Sequence, residues 1–305
     1  MTGQEQDRSR ALGIDLWATI AAFAVALLMI FLATQLHAQT FTVLHNFAGG
    51  QDGANPQAGL TMDGGGNLYG TSYYGGNQNG VEGNGTVFKL AHKGSGRTFT
   101  PLYVFQGGAD GGRPDARVAV GPGGLLYGTT VYGGTGQSPA GTVFNLRPPA
   151  RACTAALCPW TETVIHSFNI NFDGTGARDV IFDSAGNLYG TTSQGGYNGI
   201  GAVYELTPSG GGWTSNVLYS FSAYIGSRAS LTFGPNGELY GTLNLGDVDV
   251  FQLTPSGGQW NLTGINGRTN DDPEGNVILD AQGHLYTTGS QGGPNQDGLV
   301  LEITQ

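Results

Sequence analysis

Apolar residues in this chain come in short alternating bursts separated by glycine-rich turns, and the bursts repeat. The clearest series is Thr86-Val87-Phe88-Lys89-Leu90, Thr142-Val143-Phe144-Asn145-Leu146, Ala202-Val203-Tyr204-Glu205-Leu206, Asp249-Val250-Phe251-Gln252-Leu253 and Leu299-Val300-Leu301-Glu302-Ile303. Period-two alternation of this kind predicts a half-buried strand. Upstream of each stands a second echo: Leu68-Tyr69-Gly70, Leu126-Tyr127-Gly128, Leu188-Tyr189-Gly190, Leu239-Tyr240-Gly241 and the weaker Leu285-Tyr286-Thr287. A short apolar run precedes that in turn, beginning at Leu60, Val118, Val180, Leu231 and Val277. Successive tyrosines of the second series lie 58, 62, 51 and 46 residues apart, a spacing that suits a unit of four short strands.

We label these strands A (the short run), B (Leu-Tyr-Gly), C (the alternating burst) and D. Strand D opens on an aromatic residue, at Phe99, Trp160, Trp213 and Trp260. That makes five copies of A, B and C but four of D. The missing copy is at the other end of the chain, where Phe41-Thr42-Val43-Leu44-His45-Asn46-Phe47 matches Phe99-Thr100-Pro101-Leu102-Tyr103-Val104-Phe105 in spacing. The sequence therefore predicts an all-β fold, a five-bladed β-propeller of four-stranded blades closed by the N-terminal strand pairing with the last blade. Closure removes the open edges that a solenoid or sandwich of such units would expose.

Glycine, at 55 of 305 residues, fits this reading as turn material rather than as a disordered linker, because the apolar residues between the glycines recur in register. Residues 1–38 fall outside the repeat. Arg8 and Arg10 precede an apolar run from Leu16 to Leu36, and the chain turns polar at His37-Ala38-Gln39. This reads as a secretory signal peptide ending at Ala38, with a retained membrane anchor as the alternative; Leu36 fits the small-residue rule of cleavage poorly. Either way residues 39–305, the propeller, are expected to be secreted or extracytoplasmic, in the periplasm or on the cell surface. The net charge of −10 argues against nucleic acid or an anionic membrane surface as a partner, so the membrane enters only through an uncleaved N-terminal segment.

Gly-Asn-Leu-Tyr-Gly-Thr followed by Gly-Gly and Gly-Thr-Val-Phe-x-Leu resembles the GloVer tandem repeat of bacterial exported proteins, over about residues 40–305. More distantly, the repeat is similar to NHL-type propeller units. The resemblance implies an extracytoplasmic propeller and no particular reaction.

The chain has no Gly-x-x-x-x-Gly-Lys phosphate loop and no Gly-x-Ser-x-Gly elbow with plausible partners. His45 and His166 occupy matching places in strand D, beside Tyr103 and Tyr219, which favours packing over metal ligation. Asp52-Gly53, Asp110-Gly111 and Asp173-Gly174 recur before strand A; they read as turns rather than Ca²⁺ loops, since no dense alternating-acid loop is present. We expect no cofactor and no metal. Cys153 and Cys158, in an insertion between strands C and D of the second unit, are expected to form a disulfide in an exported protein.

Positions that differ between otherwise similar units are free to do something other than build the scaffold. Immediately before the first apolar residue of strand A stand Gly59, Arg117, Asp179, Ser230 and Asn276; three positions before stand Gln57, Asp115, Ala177, Arg228 and Glu274. With strand A innermost, these residues and Arg178 would ring one mouth of the central channel. The loops between B and C would open at the same end, carrying Tyr73, Tyr74, Tyr132 and Tyr197. The expected ligand site therefore comprises Asp115, Arg117, Arg178, Asp179, Arg228, Glu274 and these four tyrosines. Two functions fit: a monomeric, non-catalytic binding module for a carbohydrate or a cell-surface protein, and a glycoside hydrolase or lyase using Asp115, Asp179 or Glu274.

Overall fold

A computed structural model describes residues 20, 23, 41–76, 83–94, 96–136, 138–150, 160–222, 230–243, 250–265, 275–290, 294–295 and 297–304. The chain divides into two units, Met1–Leu44 and His45–Gln305. Of the first, Ile20 and Phe23 are helical and exposed; residues 41–44 are exposed and form neither helix nor ladder. The rest of the expected export segment lies outside the described residues, as do Cys153 and Cys158.

The second unit is a five-bladed β-propeller. Blade one holds β1 (Thr61–Met62), β2 (Leu68–Ser72), β3 (Thr86–Lys93) and β4 (Gly96–Val104). Blade two holds β5 (Ala119–Val120), β6 (Leu126–Thr130), β7 (Pro139–Arg147) and β8 (Thr161–Asn169). Blade three begins with an additional β9 (Thr175–Ala177), then β10 (Ile181–Phe182), β11 (Leu188–Gln194), β12 (Ala202–Ser209) and β13 (Gly212–Ser220). Blade four holds β14 (Thr232–Phe233), β15 (Leu239–Thr242), β16 (Val250–Ser256) and β17 (Gln259–Ile265). Blade five holds β18 (Ile278–Leu279), β19 (Leu285–Gly289) and β20 (Leu299–Ile303). Every blade is an antiparallel meander in chain order, apart from β9, which pairs with β11.

The register explains the repeated sequence. The glycine of Leu-Tyr-Gly pairs directly with the central aromatic of strand C: Gly70 with Phe88, Gly128 with Phe144, Gly190 with Tyr204 and Gly241 with Phe251. A Cβ at these glycines would lie 2.4–2.7 Å from the partner ring or its hydroxyl, so the ring lies over bare backbone. The same ring receives the strand-D phenylalanine of the preceding blade. Phe105 meets Phe144 at 5.1 Å, Phe168 meets Tyr204 at 5.0 Å and Phe221 meets Phe251 at 5.3 Å, all edge-on.

Phe47 repeats this contact on Phe88 at 5.2 Å, and His45 stacks on Phe99. Phe47 thus occupies the strand-D position of the blade that precedes blade one in the ring, which is blade five. The sheet of blade five has three hydrogen-bonded strands, and residues 41–48 carry no ladder among the described residues. The side chains of His45 and Phe47 tie this segment to blade one. Blade five also differs inside: Thr287 stands where the glycine was and pairs with Leu301 in place of an aromatic.

The Tyr and Thr of the B strand join each blade to the next. Tyr69 reaches Trp160, Tyr127 reaches Phe182 and Trp213, and Tyr189 reaches Phe233. Thr71 Oγ1 donates to the Ala116 carbonyl and Thr129 Oγ1 to that of Ala177. Within a blade, Tyr69 donates its hydroxyl to Asp63 of the A–B turn, and Asp63 also accepts from the Gly65 and Asn67 backbones. Burial works against the charge on Asp63, yet these bonds and that of the Asn67 side chain outweigh it and hold the carboxyl at about 2. Asp183 with Tyr189, and Asp280 with Tyr286, repeat the arrangement. The expected packing role of Leu-Tyr-Gly is what these contacts describe.

Two stability predictions follow from the lock. Tyr204 is fully buried and its hydroxyl has no partner among the described residues, whereas Phe fills the place in blades one, two and four. Tyr204→Phe should therefore raise the free energy of unfolding by about 1 kcal/mol, since an unpaired buried hydroxyl costs about 1–3 kcal/mol; a lower value would mean that the hydroxyl is bonded in solution. Phe47→Ala should cost about 1–3 kcal/mol, less than the roughly 3–5 kcal/mol expected at fully buried Phe168. A Phe47→Ala protein as stable as the parent in urea would show that the seam does not depend on this residue.

Candidate functional site

Along strand A side chains alternate, so burying the first apolar residue turns its predecessor toward the channel. Val118, Val180, Leu231 and Val277 are buried, while Leu60 is half exposed. Their predecessors Gly59, Arg117, Asp179, Ser230 and Asn276, one from each blade, all line a single cavity of about 370 Å³. Gln57, Ala58, Asp115 and Arg178 complete its wall. The ring of non-repeating residues expected from sequence is thus one place in the fold. Arg228 and Glu274 lie outside the described residues.

The four described charges are matched across the boundary of blades two and three. Arg117 donates to Asp179 twice, from its backbone N–H to Oδ1 at 2.7 Å and from Nε to Oδ2 at 2.6 Å. Arg178 reaches back from blade three, its Nη1 donating to Asp115 Oδ2 at 2.9 Å. Gly59 gives the Arg117 arm its room, because a Cβ there would sit 2.8 Å from Arg117 Cδ. The Arg117 side chain is still 42% exposed, against 12% for Asp179. Its terminal nitrogens have no hydrogen bond to a described residue, so they remain donors at the cavity. The wall therefore offers guanidinium, amide and hydroxyl groups around a core of paired charge, a surface suited to a ligand rich in hydroxyl groups.

The tyrosines are arranged differently from the expectation: none of the four lines the cavity. The B–C loops of blades one and two bridge to the linker ahead of strand A, at Ala54–Tyr74 and Gly112–Tyr132. Tyr73 and Tyr74 meet edge-on at 4.7 Å, and the Arg113 guanidinium lies 5.9, 5.4 and 4.7 Å from the rings of Tyr73, Tyr74 and Tyr132. Burial, with the neighbouring Tyr132 next, raises the Tyr73 phenol above its usual range. Tyr197 stands apart on blade three with Phe172. Arg113 escaped the sequence reading because it lies five positions before Val118, beyond the positions compared; its backbone, at φ +55°, marks it as unusual for a side chain of that size.

Sequence reasoning also missed Glu162. It faces Leu146 across the C–D ladder, a place held by Phe99, Ser215 and Leu262 in the other blades, so an acid among apolar or small residues was the available signal. Burial, and then the charge of Asp110, push its carboxyl up to about 7. It lines a side groove with Asp110, Thr135 and His166, remote from the strand-A ring in the fold. The Asp-Gly turns are internally bonded: Tyr103 donates to Asp110, His45 and His166 pair with Asp52 and Asp173, and each aspartate accepts from the backbone of Ala48, Gln106 or Asn169.

The Gloeobacter/Verrucomicrobia repeat matches residues 29–160 and again 157–305, and the chain belongs to that family. Among solved structures, the fold is similar to a putative gluconolactonase at 16% identity over 83% of this chain and 79% of that one, with a TM-score of 0.49. It is also similar to a gluconolactonase from Xanthomonas campestris, at 14% identity over 80% and 71% with a TM-score of 0.47. An endo-arabinase from Bacteroides thetaiotaomicron gives 14% identity over 88% and 98%, with a TM-score of 0.42. No curated protein matches the sequence.

The paired charges give a direct test. A double-mutant cycle on Arg117 and Asp179, read from urea unfolding, should return a coupling of about 0.5–3 kcal/mol that persists in salt, because Asp179 is largely shielded from water. Additive single substitutions would show that the pair contributes nothing to holding blades two and three together.

Proposed function

We propose that this member of the Gloeobacter/Verrucomicrobia repeat family is an extracytoplasmic, non-catalytic propeller that binds a neutral glycan at the strand-A mouth. The observation that carries the reading is the composition of that cavity. Five blades built on one repeat contribute five different residues at one structural position, and recognition of an asymmetric ligand needs such difference while packing needs sameness. Arg117, Gln57, Ser230 and Asn276 supply donors and acceptors in several directions, as a polyhydroxylated ring requires.

The paired charges favour a neutral ligand over an acidic one. Asp115 and Asp179 each balance an arginine, and the chain as a whole is negative. The same pairing favours binding over hydrolysis. A glycosidase needs one carboxyl free to give a proton and another free to attack or to activate water, and both described mouth aspartates already accept from guanidinium groups. Export is proposed on the N-terminal segment, with Arg8 and Arg10 ahead of the apolar run.

The test is a glycan array probed with the propeller, followed by titration of the strongest neutral ligand against Gln57→Ala, Asn276→Ala and Arg117→Ala. We expect binding to weaken about two- to tenfold at the two amides and about tenfold or more at Arg117, since one hydrogen bond is worth about 0.5–1.5 kcal/mol to an uncharged group and about 1.5–3 kcal/mol to a charged one, while the melting temperature of the two amide variants stays put. Unchanged binding by all three variants would place the ligand elsewhere. Reducing ends released from the bound glycan would replace the binding module with an enzyme.

A further inference from the structure

Blade three keeps the packing residues of the repeat and breaks its pattern at the rim. Between the strand-D phenylalanine and the Asp-Gly pair, the linkers into blades one and two read Ala48-Gly49-Gly50-Gln51 and Gln106-Gly107-Gly108-Ala109. Their first glycines stand at φ +81° and +80°, a backbone that β-branched residues rarely adopt. The linker into blade three reads Asn169-Ile170-Asn171-Phe172. With isoleucine in place of glycine the turn is rebuilt: the Asn169 carbonyl accepts from Phe172, Asp173 and Gly174. Ile170 and Phe172 are left 42% and 55% exposed.

The facing B–C loop has changed as well. In blades one and two the tyrosine precedes the Gly-Gly pair, at Tyr74 and Tyr132; in blade three Tyr197 follows it. Tyr197 sits at the tip of a turn closed by bonds from Gly195 to Gly199 and from Gly199 to Gly196, and the loop is tied to the rebuilt linker by a bond from Gly196 to the Ile170 carbonyl. Tyr197 is 68% exposed, and its ring meets Phe172 edge-on at 6.1 Å. Two independent departures from the repeat converge on one uncharged apolar patch held on bonded backbone.

The size of the patch decides what covers it. Large aromatic side chains bury about 150–250 Å² each when fully covered, so two half-exposed rings and one isoleucine fall well short of the roughly 800 Å² per partner of a stable protein interface. A single apolar ring face is the right scale, and a sugar ring presents one. The patch is also continuous with the mouth. β9 runs from it toward Arg178 and Asp179, held extended against Thr192 and Gln194 of β11, so the two places are on the order of 10–20 Å apart.

We infer that Ile170, Phe172 and Tyr197 form an outer stacking subsite for a linear neutral glycan whose other end occupies the strand-A mouth. This rests on the mouth reading above and adds the chain length of the ligand: several sugar units, running over blade three. One ring cannot touch both places, while a chain engages them together and gains from the second contact without a second loss of translational freedom.

The experiment measures Kd by calorimetry for three series of neutral oligosaccharides, β-1,4-glucan, α-1,4-glucan and β-1,4-xylan, each from one to six units. The parent is compared with a Phe172→Ala, Tyr197→Ala double variant. For at least one series the parent's affinity should climb with length, by about tenfold or more for two stacking contacts. The double variant should bind one or two units as the parent does, show the same melting temperature, and lose the climb. The same length dependence in both proteins would overturn the stacking subsite and leave the mouth reading standing, as would a parent affinity that is flat with length. A parent that binds no member of any series would overturn the mouth reading, and this inference with it. A concentration-dependent dimer that disappears in the double variant would show that a second copy covers the patch instead of a glycan.

Discussion

One contact holds this ring together: an aromatic residue of strand C lying over the bare backbone of a strand-B glycine and meeting the strand-D phenylalanine of the preceding blade. It works at once within the blade and between blades. The glycine lets the ring lie flat on its own sheet, and the edge-on phenylalanine uses the ring's exposed face, so centroids stay near 5 Å at four successive boundaries. Fully buried Phe144, Phe168, Tyr204 and Phe251 show how much apolar surface depends on it. Where the lock weakens, its two partners within the blade change together: blade five replaces the glycine by Thr287 and the aromatic by Leu301. A threonine Cβ under a large ring would clash, whereas under a leucine it does not need to.

With the blades held by residues that hardly vary, the inner ends of the A strands are free to vary. Their ladders are only two residues long, at Thr61–Met62, Ala119–Val120, Ile181–Phe182, Thr232–Phe233 and Ile278–Leu279. The chain just ahead of each ladder is tied down instead by the neighbouring blade, through Thr71 to Ala116, Thr129 to Ala177 and Thr242 to Gly275. Side chains at the mouth therefore stand on fixed backbone without taking part in the core. Among the described residues, the crossed pairs Arg117–Asp179 and Arg178–Asp115 are where mouth and scaffold overlap, since they also bind blade two to blade three.

Much of this was legible in the sequence because both signals are periodic. Alternation gave strands B and C, and the recurrence of Leu-Tyr-Gly gave the blade count. The mouth was legible for the same reason: aligning the copies on Leu60, Val118, Val180, Leu231 and Val277 brought Gly59, Arg117, Asp179, Ser230 and Asn276 to one level, and one cavity contains all five. What the alignment could not deliver was side-chain direction in the loops. The four tyrosines lie in the same kind of loop but not at the cavity, because Tyr73, Tyr74 and Tyr132 gather on Arg113 and Tyr197 meets Phe172. The N-terminal strand was legible as a spacing match, yet among the described residues Phe47 and His45 join it to blade one through ring contacts and no ladder joins it to blade five. Glu162 and Arg113 were hidden for a simpler reason: each needs the partner across the sheet or loop to be known before it looks out of place.

Two kinds of irregularity remain, and packing separates them. In blade five the departures fall on the lock itself, and they compensate one another, as expected where a repeat drifts while its fold is retained. In blade three the lock is intact, with Gly190, Tyr204 and Phe168 in their usual relation. There the departures fall on solvent-facing positions and expose apolar surface that the linkers into blades one and two avoid with glycine. Drift has no reason to place Ile170, Phe172 and Tyr197 side by side from two different loops, next to the boundary that carries both mouth ion pairs. Stability gives no reason either, since exposed rings contribute little to folding. A bound ligand supplies the reason that folding does not, and blade three is where it would lie.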